Sequence, residues 1–136
     1  MKRHDLLDTG IAQDDQARRS GVRERAIAQR QAGHRMGICV PVLGELWSGG
    51  ECSSSRERNF AALRQALATL IIWPDTNAAA EEFGRVFADL KRTGRSMQQI
   101  DIQIGAIART LPNCIIVSKD SDLSAILNVT VENWAT

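Results

Sequence analysis

Apolar residues in this chain gather in short runs set between longer polar stretches. Residues 5–9 (closed by Gly10), 36–40, 70–73 (stopped by Pro74), 114–117 and 129–134 predict five strands. Cys114-Ile115-Ile116-Val117 is the strongest of them, β-branched and uninterrupted, as a strand covered on both faces requires. The stretches between them predict helices. A polar one covers residues 13–32 and ends at Gly33, and another starts at Pro41 and carries Glu45. Ser54-x-x-Glu57 reads as a capping box for a helix ending near Leu70, and Asp75 and Thr76 cap one that runs to about Thr93 and stops at Gly94. Ser96-x-x-Gln99 is a second capping box, opening a helix with Ile100, Ile104, Ile107 and Leu111 along one stripe. A turn or short helix at residues 121–127 precedes the last strand. Strands alternating with helices predict an α/β sandwich with a mostly parallel sheet.

With 136 residues, 43% of them hydrophobic, the chain is expected to form one domain over residues 1–136 with a real core, which excludes disorder throughout. The longest apolar stretch, residues 66–73, is broken by Thr69 and is too short for a membrane helix. Met1-Lys2-Arg3-His4-Asp5 leads into only two leucines before the next acid, unlike a secretory signal, so a soluble, cytoplasmic protein is expected. Three cysteines without a C-x-x-C pair argue against a disulfide framework or a cysteine-based zinc site, and Cys39 and Cys114 read as small core residues. No G-x-S-x-G, G-x-G-x-x-G or P-loop pattern is present.

Seventeen basic residues against sixteen acidic ones give a net charge of +1, so any case for nucleic acid must be local. Residues 18–35 supply one: Arg18, Arg19, Arg23, Arg25, Arg30 and Arg35 against the single acid Glu24. This stripe reads as a solvated helix face, a grip on RNA phosphates or a seat for an acidic partner. Lys91, Arg92 and Arg95 read as complements to a helix C-terminus. Trp73 and Trp134 border strands and read as core. Trp47 lies near Glu45, and Leu43, Leu46 and Trp47 read either as core or as a partner surface.

Five acids stand out by position. In a parallel sheet, ligands gather beyond the carboxyl ends of the strands. Asp8 closes the first strand, Asp120 and Asp122 follow the strongest, and Glu45 lies within two helical turns of the second. Asp101 sits at a helix start between Ile100 and Ile102, with no lysine or arginine at i+3 or i+4. Each alone reads as a turn acid or a helix-start acid. Unrelated turn acids, however, have no reason to fall at one end of several strands. Brought together, their charges repel unless a cation is present, and Mg²⁺ or Mn²⁺ accepts such oxygen donors.

In order along the chain, Leu6-Leu7-Asp8-Thr9, Val42-Leu43-Gly44-Glu45-Leu46, residues 100–106 (Ile-Asp-Ile-Gln-Ile-Gly-Ala) and residues 117–123 (Val-Ser-Lys-Asp-Ser-Asp-Leu) resemble the four acidic blocks of the PIN-domain ribonucleases. Residues 79–84, the Thr93-Gly94-Arg95 that follows, and the closing residues 129–134 are similar to the VapC-type toxins of that family. The resemblance implies a PIN-like three-layer sandwich and a Mg²⁺-dependent endoribonuclease, with Mn²⁺ as a substitute. It implies cleavage of structured RNA such as tRNA or rRNA, no membrane, a homodimer, and a cognate antitoxin as partner. Matched by position, Asp8, Glu45 and Asp101 are the three main catalytic and metal-binding acids. Asp120 and Asp122 share the fourth block, and Ser118 matches a hydroxyl residue that supports the first acid.

Two positions depart from the pattern: Gly10 stands where the family commonly has Asn, and the first helix reads Gln13-Asp14-Asp15-Gln16 where the family has apolar residues. The second departure implies a loosely held or displaced first helix. Together they keep open an alternative, a non-catalytic PIN-like module that binds RNA or protein.

Overall fold

The computed structural model describes residues 2–136. Five strands form one sheet: β1 (His4–Leu7), β2 (Arg35–Cys39), β3 (Ile71–Trp73), β4 (Cys114–Val117) and β5 (Thr130–Glu132), in the order β3-β2-β1-β4-β5. Every pairing is parallel, so the sheet is wholly rather than mostly parallel. Six helices connect and flank it: α1 (Thr9–Ala17), α2 (Val22–Gln31), α3 (Val40–Glu51), α4 (Arg56–Leu67), α5 (Asn77–Arg92) and α6 (Gln99–Thr110). A single 3₁₀ turn at Ser121–Ala125 leads from β4 toward β5.

The strands β1 and β4 lie inside the sheet, and apart from His4 and Asp5 at the start of β1 their side chains are apolar on both faces. Leu6, Leu7, Ile116 and Val117 are completely buried, as is Ile38 in β2. Gly37 serves a close approach: a Cβ there would stand 2.1 Å from the carbonyl oxygen of Ile71 in β3. The stripe expected on α6 is wider than expected. Ile104 and Ile107 are buried with Ile102, Ala106 and Ala108, whereas Ile100 and Leu111 are only partly covered. Gly105 lets this helix meet Ile126, whose Cδ1 would lie 2.4 Å from an added Cβ. No helix among the described residues is long and apolar enough to cross a membrane.

Three local expectations are corrected. The polar stretch 13–32 is two helices rather than one. Arg18, Ser20 and Gly21 take left-handed backbone angles (φ 57°, 58° and 71°), turning the chain between α1 and α2. Neither Ser54 nor Ser96 makes a capping box. The N-caps are Ser55 and Gln98, and neither side chain accepts a capping hydrogen bond. Ser53 serves the first of these turns instead, its hydroxyl accepting from the Ser55 amide and the Asn59 side chain. Thr76 does cap α5, accepting from the Ala79 amide at 3.1 Å.

The first helix is firmly seated. Ile11 and Ala12 are buried, and so are Asp14 and Asp15, at 4% and 3% exposure. Asp14 pairs with Arg19 (3.2 Å) and Lys119 (2.8 Å), and Asp15 lies in the field of Arg30 and Arg23. Asp14 helps hold this helix by ion pairs, whereas Asp15 forms none among the described residues and burial raises its carboxyl against the pull of Arg30 and Arg23.

Candidate active site

The strand order places the ends of β1, β2 and β4 side by side, and the acids follow from that. Asp8, immediately after β1, is the N-cap of α1: Oδ1 accepts from the Ile11 amide at 2.9 Å. Its Oδ2 accepts from the Ser118 hydroxyl at 2.5 Å, and Ser118 is itself buried just past β4. The same hydroxyl oxygen accepts from the Asp120 amide (2.9 Å), and Asp120 Oδ1 accepts from the Asp122 amide (2.9 Å). Ser118 thus joins the first strand's acid to the loop that carries the fourth-block acids.

Glu45 comes from α3, whose start at Val40 sets it a little over one turn beyond the end of β2. The Thr9 hydroxyl donates to its Oε1 at 2.5 Å, tying α3 to the first residue of α1. Asp101 lies in the first turn of α6, where the helix dipole favours a negative charge. With Asp120 and Asp122 it lines an open cleft of about 290 Å³ whose other wall carries Arg95, Ser96, Met97 and Gln98. A larger groove, about 500 Å³ between α1, α3 and α4, touches none of the five acids.

The electrostatics show that the acids share one space. Burial pushes the Asp101 carboxyl above its ordinary range, and the negative charges of Asp120, Asp8, Glu45 and Asp122 push it further. Asp8 is also raised by burial, against the pull of Ser118, the Ile11 amide and the Lys119 charge. Among the described residues none of the five forms an ion pair. Nor do any three acidic, histidine or cysteine side chains form a ready-made ion cage.

Other candidate groups are put to structural use. Arg19 pairs with Asp14, Arg25 reaches Glu132 at 3.6 Å and lies over Trp134, and Arg30 donates to Thr69 at 3.3 Å. Much of the arginine stripe is therefore spent within the protein. Trp47 stacks edge-on against Phe60 (centroids 5.1 Å apart) beneath Arg64, and Leu46 is buried, so this face of α3 belongs to the core. Trp134 is buried and Trp73 partly covered. Burial pushes the thiols of Cys39 and Cys114 up to about 11 and about 12, which leaves them unreactive. Thr9, Arg95 and Lys119 were missed by reading the sequence. Their neighbours across the chain, which give them meaning, lie up to 105 positions away in the sequence and carry no local signal.

The PIN domain family model matches residues 6–127. The ribonuclease VapC2 of Haemophilus influenzae is 29% identical over 99 residues, which cover 71% of this chain and 75% of that protein. The structure of DNA-bound VapBC from Salmonella typhimurium superposes with a TM-score of 0.87 at 26% identity, covering 99% of this chain and 100% of that one. VapBC2 from Rickettsia felis, bound to a fragment of its promoter, gives 0.90 at 22% identity, covering 96% and 98%. The α/β sheet with its ring of acids, matched by the family over nearly its whole length, makes this chain a member of the PIN-domain family.

Proposed function

We propose that the chain is a VapC-type toxin, a Mg²⁺-dependent endoribonuclease that cuts structured RNA such as tRNA or rRNA, with Mn²⁺ able to substitute. One observation carries this reading. The charges of Asp8, Glu45, Asp120 and Asp122 all act on Asp101 at the carboxyl end of the sheet, and among the described residues none of the five forms an ion pair. The donor set fits the ion: all donors are oxygens, and Mg²⁺ keeps most of its waters and takes only one or two carboxylates directly, so no closed cage is required. Bound there, the ion supplies a more acidic water and offsets charge developing on the phosphate.

The chain's own residues supply the rest. Ser118 and the start of α1 hold Asp8 in one orientation, and Thr9 holds Glu45. Of the two fourth-block acids, Asp120 is the stronger candidate. It acts on both Asp8 and Asp101, and among the charges acting on Asp101 it ranks first while Asp122 ranks last.

The likeness to VapBC assemblies supports a cognate antitoxin as partner. Phe87, half exposed and stacked on Phe83 along α5, supports a second copy of the chain as another. The ion pairs of Asp14 and the burial of Ile11 and Ala12 support a seated α1, which favours the catalytic reading over a non-catalytic module. Purified protein is expected to cut RNA with Mg²⁺ or Mn²⁺ and to stop in EDTA. Asp8→Asn and Asp101→Asn are expected to lower the rate by about 100-fold or more while circular dichroism shows the fold intact. RNA binding without turnover would instead establish the binding module.

A further inference from the structure

Both departures from the family pattern meet at one side chain. Lys119, between Ser118 and Asp120, is the positive charge acting on Asp8. It pairs with none of the five acids. Its ammonium lies 2.8 Å from Oδ2 of Asp14, whose side chain is only 5% exposed, while Lys119 itself is about half exposed. Arg19 takes the other oxygen of Asp14 at 3.2 Å, so the buried side chain is held between two cations. Position 10 lies in the path: a Cβ there would stand 3.8 Å from Lys119 Cε and 3.8 Å from Asp8 Oδ1. That is already contact distance, so a longer side chain such as asparagine would take the space the lysine stem uses. Glycine at position 10 and aspartate at position 14 are thus two parts of one arrangement.

An ammonium has three donors. The ammonium is ion-paired with Asp14 without a hydrogen bond to it, and at half exposure it stays open to solvent. Such a fixed cation beside carboxylates that would carry a metal is suited to a phosphate oxygen, which the acids alone would repel. We propose that Lys119 binds a non-bridging phosphate oxygen of the RNA at the mouth of the site, and that Asp14 is its positioning residue. The choice of RNA as ligand rests on the nuclease reading. The competing role is purely structural: Lys119 would do no more than neutralise Asp14.

Binding of a fluorescein-labelled single-stranded oligoribonucleotide, followed by anisotropy in EDTA across a KCl series, separates the two. Lys119→Met is expected to weaken binding about tenfold and to flatten the slope of log K against log salt by about 0.7, the loss of one phosphate contact. Lys119→Arg is expected to restore both, and Asp14→Asn to weaken binding to a smaller degree. The double variant Asp14→Leu/Lys119→Met removes both charges, is expected to melt no lower than the parent, and should bind as weakly as Lys119→Met. Parental affinity and slope in Lys119→Met, or binding regained in the double variant, would overturn the proposal. The same panel with Mg²⁺ keeps the two readings apart. Cutting by the parent with unchanged binding in Lys119→Met sinks only the lysine's role. Binding by the parent without cutting sinks only the nuclease, and a parent that binds no RNA sinks both.

Discussion

Two groups of acids in this protein have opposite fates. Beside β1 and β5, Asp5 is wholly buried yet paired with Arg3 at 2.5 Å and faced by His34 at 3.5 Å. Arg3 forks onto both oxygens of Glu132 (3.0 and 2.9 Å), which also accepts from the Trp134 indole at 3.0 Å and is approached by Arg25. Burial pulls Glu132 upward, but Arg3 and Trp134 outweigh it and hold the carboxyl below its usual range. At the carboxyl end of the sheet the reverse holds: burial and like charge lift Asp101 with nothing to offset them. The first group carries its own cations and belongs to the fold, although Oδ2 of Asp5 makes no hydrogen bond. The second is left in deficit of positive charge, which marks it as the place where something from outside completes the balance.

Breaking each group tests this contrast, and the largest loss of stability should come from the one that carries its own cations. Arg3→Met leaves the Asp5 carboxylate buried and poorly compensated, and is expected to cost about 3 kcal/mol in urea unfolding. Asp101→Asn should cost no stability in metal-free protein, although it removes activity. A fall in stability comparable with that of Arg3→Met would make Asp101 a structural acid and erase the distinction.

A smaller effect lies in pH dependence, with opposite signs for the two groups. A raised carboxyl such as Asp101 contributes stability that is present below its unfolded pKa and lost as pH rises through the folded value. A lowered one such as Glu132 contributes stability that is present above its unfolded pKa and lost as pH falls through the folded value. Without metal, Asp101→Asn should therefore raise the urea midpoint at neutral pH and lose that advantage in acid. Glu132→Gln should lower it at neutral pH and converge with the parent in acid. Same-signed shifts would contradict the assignment.

The strands were legible because runs such as Cys114-Ile115-Ile116-Val117 have few alternatives to a central parallel position. So was the alignment of Asp8, Glu45, Asp101 and the fourth block, since strand ends in a parallel sheet share one edge. The break between α1 and α2 was hidden because Arg18 and Ser20 take left-handed angles without glycine's signal, and only Gly21 hints at it. Asp14 and Asp15 read as signs of a loosely held or displaced first helix, since a buried acid is recognisable only with its partner in view. Its partners here are Lys119, 105 positions away, and the arginines of the stripe. The capping boxes failed for a related reason: Ser54 and Ser96 have the right spacing, but each helix starts later than that spacing requires.

The decisive measurement is anomalous scattering from crystals soaked in Mn²⁺. A peak at about 2.1 Å from carboxylate oxygens of Asp8 or Asp101, lost in Asp101→Asn, is the predicted result. At saturating Mn²⁺, a map with no peak at the carboxyl end of the sheet, or with the ion seated elsewhere, would contradict it.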